Sequence, residues 1–197
     1  HETYGEDPFL TSRLGVAFVQ GIQGDHPEYL KAVATPKHFA VHSGPEGKRH
    51  GFNVEISRKD LYETYLPAFK ACVQEAHAAS VMSAYNAVYG DPCSSSELLL
   101  EDVLRTEWGF DGFVISDYGA VSGMVKHHIV AESKPEAMAM AFAPPAIPGV
   151  GNVSGLDYRL LDYLGRPPEE LAAVADGLAQ ATGERARESA GRARRRV

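Results

Sequence analysis

The acid at position 117 stands where a carboxylate can do chemistry. Trp108-Gly109-Phe110-Asp111-Gly112 leads into the apolar run Phe113-Val114-Ile115, which passes through Ser116 to Asp117, Tyr118 and Gly119. In an α/β barrel the carboxyl ends of the strands face the substrate, so an acid just past a strand can act there. Asp117 has a second reading, because Asp is a favoured N-cap and a helical pattern follows from about Ala120. Both readings stand at this point. Other polar groups also follow short apolar runs. Lys37 and His38 come after the β-prone run Lys31 to Thr35 and Pro36, and Ser83-Ala84-Tyr85-Asn86 comes after Ala79 to Met82. Arg49 lies in a Gly- and His-rich loop, Ala40 to Ile56. Each has a plainer role open to it. Lys37 and Arg49 can be solvated charges, His38 a satisfied imidazole, and Met82 and Tyr85 core residues.

The elements that must position these groups follow from periodicity and punctuation. Leu10, Leu14, Phe18 and Ile22 recur at helical spacing between Phe9 and Gln23. Ser57 with Asp60 marks a helix start, with the helix running to about His77 and broken near Pro67. The Gly90-Asp91-Pro92 turn precedes a helix from about Glu97 to Glu107, and Ser133-Lys134-Pro135-Glu136 opens another to about Phe142. The runs 31–35, 79–82 and 113–116 are expected to be strands. Three strand–helix units in series imply parallel strands joined by right-handed crossovers. At Ala143 the character changes. Pro144 to Gly151 breaks helices, Leu156 to Tyr163 suggests a strand, and Pro167-Pro168-Glu169-Glu170 opens a helix to about Ala181. The arginine-rich end from Arg185 has too few apolar residues for a core and is expected to be disordered.

Composition narrows the class. The 197 residues suit one domain, or one domain plus a fragment, and their net charge of −7 argues against a nucleic-acid-binding surface on the body. The basic end lacks interleaved aromatics and reads as a solvated tail. No apolar run is long enough to span a membrane. Two cysteines, Cys72 and Cys93, make no disulfide framework, and no His/Cys cluster has metal-ligand spacing. No cofactor or metal is implied.

Residues 1 to about 142 resemble family 3 glycoside hydrolases of the β-glucosidase and β-xylosidase type. The resemblance rests on Glu2-Thr3-Tyr4-Gly5-Glu6-Asp7-Pro8, Lys37-His38-Phe39, Arg49, Met82-Ser83-Ala84-Tyr85-Asn86, and Gly109-Phe110-Asp111-Gly112 through Ser116-Asp117-Tyr118, in the family's order. It implies an α/β fold: a partial TIM-type (β/α)8 barrel with three consecutive parallel βα units, followed by a small βα segment. It also implies that Asp117 is the nucleophile of a retaining β-glycosidase. Lys37, His38 and Arg49 would then bind sugar hydroxyls, Met82 and Tyr85 would flank the reacting sugar, and Tyr118 would offer an aromatic platform. Cations near Asp117 would hold it ionised. The substrate implied is a β-linked oligosaccharide or aryl glycoside.

Departures from the family pattern shape the expectation. His42 and His50 invite comparison with the family's N-acetylglucosaminidases, whose proton-donating histidine is paired with an aspartate. Lys48 and Arg49 precede His50 here, so that branch is discounted. The resemblance implies that barrel strands before His1, and the domain supplying the acid/base glutamate, are not represented. Little or no activity is therefore expected of the chain alone. Residues 143 to about 183 resemble a periplasmic porter segment of resistance-nodulation-division efflux pumps. The expected division is thus a barrel segment over 1–142, a porter-like βα segment over 143–183 and a basic tail over 184–197, an apparent chimaera. Two other functions stay open: a non-catalytic carbohydrate-binding fragment, and an efflux-pump-derived periplasmic fragment.

Overall fold

The computed structural model describes residues 3–142. The expectations for 143–183 and 184–197 lie outside the described residues. The chain divides after Val130 into two units.

In the first unit, α1 (Pro8–Gln23) starts as the sequence predicts. The Asp7 side chain accepts the Leu10 amide at 2.6 Å and Pro8 supplies the preset first turn. Gly24, at φ +76°, ends it. α1 packs on α3 (Pro67–Gln74), burying Val19 with Cys72, Ala76 and Ala78. Buried Gln23 donates to the His77 carbonyl and accepts the Ala79 amide, which ties the end of α1 to the start of β2 (Ser80–Met82). The helical stretch before α3 opens at α2 (Arg58–Asp60), where the Ser57 hydroxyl accepts the Asp60 amide at 3.0 Å. It widens into a π turn over Leu61–Tyr65 and restarts at Pro67, as expected from a proline with no amide to donate.

β2 is the middle of three parallel segments. On one side it pairs with β5 (Phe113–Ile115), Met82 opposite Ile115. On the other it takes the stretch 36–39. The Met82 amide donates to the Pro36 carbonyl, Phe39 to Met82, and Ala84 to Phe39, with a parallel bridge between Phe39 and Ser83. The expected strand at 31–35 is therefore displaced toward the carboxyl end. The reason is burial. Val33 is exposed and only Ala34 of that run is buried, whereas Phe39, Ala40 and Val41 are all interior. Burying a side chain the size of Phe39 is worth about 1.5–3 kcal/mol, which outweighs the local β preference of the upstream run.

A helix with π-type hydrogen bonding, Leu98–Glu107, links β2 to β5 and buries Leu99, Val103 and Leu104 against Phe39, Val81 and Trp108. Its Arg105 guanidinium donates to the Phe110 and Gly112 carbonyls at 2.7 and 2.6 Å, fixing the loop that starts β5. Gly112 is required there, because an added Cβ would collide with the Ala79 carbonyl. A second sheet, which the periodicity did not predict, joins β1 (Asn53–Val54) in parallel to β3 (Ala87–Val88). β3 in turn pairs antiparallel with β4 (Asp91–Pro92). The two-residue turn Tyr89-Gly90 has both φ values positive, as tight hairpins require. α4 (Ala120–Lys126) follows β5.

In the second unit, α5 (Lys134–Phe142) begins at Ser133, whose hydroxyl accepts the Glu136 amide at 3.3 Å. The Glu136 carboxylate accepts the Glu132 amide in return, a reciprocal cap that agrees with the expected start. Among the described residues no helix is long and apolar enough to cross a membrane, and no group of His, Cys, Asp and Glu is arranged to hold a metal ion.

Candidate active site

The carboxyl ends of 36–39, β2 and β5 lie side by side, so the residues that follow them share one edge. Asp117, two residues past β5, meets His38, the tip of the neighbouring-but-one segment. Asp117 Oδ2 lies 3.1 Å from His38 Nε2, and both side chains are mostly buried, at 13% and 18% exposure. Asp117 Oδ1 accepts the Tyr118 amide at 2.7 Å. The capping alternative is settled by α4 itself. Its N-cap is Gly119 at φ +75°, with no side-chain cap, and Asp117 contributes only its backbone carbonyl to the Ala120 amide. Nothing in the helix engages the Asp117 carboxylate, which faces His38.

Tyr85 completes the group from the turn after β2. Its hydroxyl donates to the Tyr118 carbonyl at 2.7 Å. Burial first, then the Asp117 charge, push the Tyr85 phenol above its usual range, and the Arg49 guanidinium pulls the other way. The Arg49 guanidinium sits 5.5 Å from the Tyr85 ring centre and also pairs with Glu46 at 3.1 Å. Lys37 is exposed beside His38 at the same strand tip. Met82 ends β2, partly buried. Tyr118 is 92% exposed. The structure therefore brings Asp117, His38, Tyr85 and Tyr118 into direct contact and reaches Arg49 through the Tyr85 ring.

Four histidines border this group. His42 packs edge-on against His38 at 5.0 Å between ring centres, and His50 against Tyr85 at 4.4 Å. His127 stacks on His50 at 5.6 Å. The His128 Nε2–H donates to the Tyr85 carbonyl at 2.7 Å, an assignment that follows because a carbonyl can only accept. Sequence reasoning noticed His42 and His50 for a different chemistry and passed over His127 and His128. No spacing signal marks them, since they arrive from loops distant in sequence. Two cavities lie elsewhere. One of about 270 Å³, lined by Gln74, His77, Trp108 and Asp111, sits at the amino ends of β2 and β5, and one of about 400 Å³ lies between α1 and α3.

The family model for the glycosyl hydrolase family 3 N terminal domain matches residues 1–141. The chain belongs to glycosyl hydrolase family 3. A xylan 1,4-beta-xylosidase of Xylanibacter ruminicola is 51% identical over 129 residues, covering 64% of this chain and 15% of that relative. Beta-D-xylosidase 3 of Arabidopsis thaliana is 34% identical over 187 residues, covering 92% of this chain and 23% of its own length. Among solved structures, a family 3 exo-beta-xylosidase in complex with a xylobiose aziridine probe superposes with a TM-score of 0.67 at 36% identity. It covers 71% of this chain and 19% of that one. A beta-glucosidase from Listeria innocua in complex with isofagomine gives 0.64 at 42% identity, covering 71% and 20%.

This family 3 chain spans only about 15–23% of the length of the curated relatives it matches. The efflux-pump resemblance of residues 143–183 finds no support in these relatives, and the Arabidopsis xylosidase weighs against it. Residues 1–142 are about 72% of the 197 (142/197), so a match covering 92% must run past them.

Proposed function

We propose that the cleft is the nucleophile side of a retaining β-glycosidase site, acting on β-xylosides or β-glucosides. The observation that carries this reading is the Asp117–His38 contact at 3.1 Å across the joint strand edge, with the Asp117 carboxylate uncommitted to the helix that follows. In this reading one Asp117 oxygen attacks the anomeric carbon. The bond from that carbon to the leaving oxygen breaks, and the electron pair departs with the oxygen, which takes a proton from a general acid. Water then hydrolyses the glycosyl ester. The general acid is assigned to none of the described residues.

Lys37, His38 and Arg49 donate to sugar hydroxyls and favour the ionised carboxylate. Met82 and Tyr85 flank the reacting sugar, and the exposed Tyr118 ring offers an apolar face to the C–H side of a pyranose. The three parallel segments with their helices are read as consecutive units of a TIM-type barrel ending at about residue 142. The substrate class comes from the relatives, which include xylosidases and a periplasmic beta-glucosidase of Salmonella typhimurium. The short span relative to these enzymes favours slow turnover or none by this chain alone, with sugar binding retained as the second reading.

A mechanism-based probe separates nucleophile chemistry from turnover. Incubating the chain with a xylobiose aziridine and mapping the adduct by mass spectrometry should place it on Asp117, with Asp117→Asn abolishing it. Labelling that persists in Asp117→Asn, or that maps elsewhere, refutes the assignment. Xylobiose binding in calorimetry without any adduct would support the binding-only reading.

A further inference from the structure

Asn86 closes the Met82-to-Asn86 motif, yet its side-chain hydrogen bonds go to the Ala40 and Ala87 carbonyls and the Cys93 sulfur rather than to Asp117. It is 1% exposed and donates its Nδ2 to the Ala40 carbonyl at 3.2 Å. The Cys93 thiol, fully buried, donates to the same carbonyl at 3.5 Å. Asn86 Oδ1 is buried and meets no donor among the described residues. An unpaired buried acceptor is a cost that an apolar residue would not carry, so the contribution of Asn86 lies at its donor end.

What that donor holds is a strained turn. Val41 has φ +56°, a conformation that is a genuine outlier for a β-branched residue and is strained. The turn folds the chain so that His42 packs on His38, and His38 meets Asp117. The Ala40 carbonyl lies between His38 and this turn, and Asn86 and Cys93 converge on it from the β3–β4 hairpin region. We propose that Asn86 and Cys93 form a buried clamp on the Ala40 carbonyl that keeps His38 against Asp117. Asn86 is then a positioning residue for the site assigned above, and the proposal rests on that reading.

The test is the imidazole signature of His38 in the full chain, read by ¹⁵N-correlated NMR. Asp117→Asn supplies the reference for a His38 ring that has lost its carboxylate. In folded Asn86→Ala the His38 signals should move to the Asp117→Asn positions, and the rate of aziridine labelling should fall roughly tenfold. Folded Asn86→Ala with wild-type His38 signals overturns the clamp. If Asn86→Ala does not fold, the Cys93 pair decides. Cys93→Ala should shift His38 in the same direction by a smaller amount, and Cys93→Ser, which keeps a donor, should not. No shift in Cys93→Ala overturns the proposal. The outcomes are separable, because failure of the glycosidase reading shows as absent labelling in the wild-type chain, while the His38 comparison still reads the clamp.

Discussion

Removing the Arg105 side chain tests whether the loop before β5 is built as described. The guanidinium donates to the Phe110 and Gly112 carbonyls at 2.7 and 2.6 Å and stacks over the Phe110 ring at 4.9 Å. Burial holds its pKa below the usual value, with Glu101 and Asp111 opposing. A hydrogen bond from a charged donor is worth about 1.5–3 kcal/mol when its partner is desolvated. Both bonds are only part-buried, so the lower end applies to each. Adding about 0.5–1 kcal/mol for the ring contact gives a loss of about 3.5–4 kcal/mol for Arg105→Met, which keeps most of the apolar stem. With a urea dependence of about 1–3 kcal/mol/M, the unfolding midpoint followed by circular dichroism should fall by at least roughly 1 M. Both bonds leave one nitrogen, Nη1, so Arg105→Lys should recover less than half of it only through its shorter reach, its stronger hydration and the loss of the planar stacking on Phe110. A loss under 0.5 kcal/mol in Arg105→Met, or full recovery by Arg105→Lys, would refute the reasoning.

Gly112→Ala should destabilise the chain by at least about 1–3 kcal/mol, since its Cβ would meet the Ala79 carbonyl, a backbone group that cannot swing aside. An unchanged urea midpoint would contradict the close β2–β5 approach. Burial pushes the Cys72 thiol up to about 11 and Cys93 to about 12, so both stay protonated at pH 8. Ellman's reagent should react with the native chain at least a hundredfold slower than with the unfolded one, and rapid native labelling would show the helix interface to be open. Burial, then the hydrogen bond to Glu107, raise the Tyr62 phenol to about 12 from 10.0. Between those values the folded chain holds a proton that the unfolded chain has lost, so stability falls as pH rises through that window. Tyr62→Phe should flatten the fall, and a slope identical to wild type would argue against it.

The candidate site was legible in the sequence to the extent that its chemistry is local. Asp117 follows its strand within two residues, and a parallel architecture puts every such tip on one edge, so apolar runs ending in polar groups nominated Asp117, His38 and Tyr85 as candidates, while the family resemblance supplied the roles expected of them. Two things stayed out of reach, for related reasons. The first parallel segment lies at 36–39 rather than 31–35 because interior volume, which takes Phe39, Ala40 and Val41, overrides the β preference of a run whose Val33 remains in solvent. Pairing partners are non-local, and a pattern read along one chain cannot weigh them. β1, β3 and β4 have two residues each, too short for any period to register, and exist because Asn53 and Ala87 meet across the fold. The histidines illustrate the same limit at the site. His50 and His127 stack, and His128 reaches the Tyr85 carbonyl, only after the loop before β1 and the end of α4 have been brought together. Asp117 needed tertiary structure for a different purpose, to choose between its two roles. Gly119 resolves that choice: by taking the N-cap position of α4 in the left-handed region without a side chain, it leaves the Asp117 carboxylate free of the helix and available to His38.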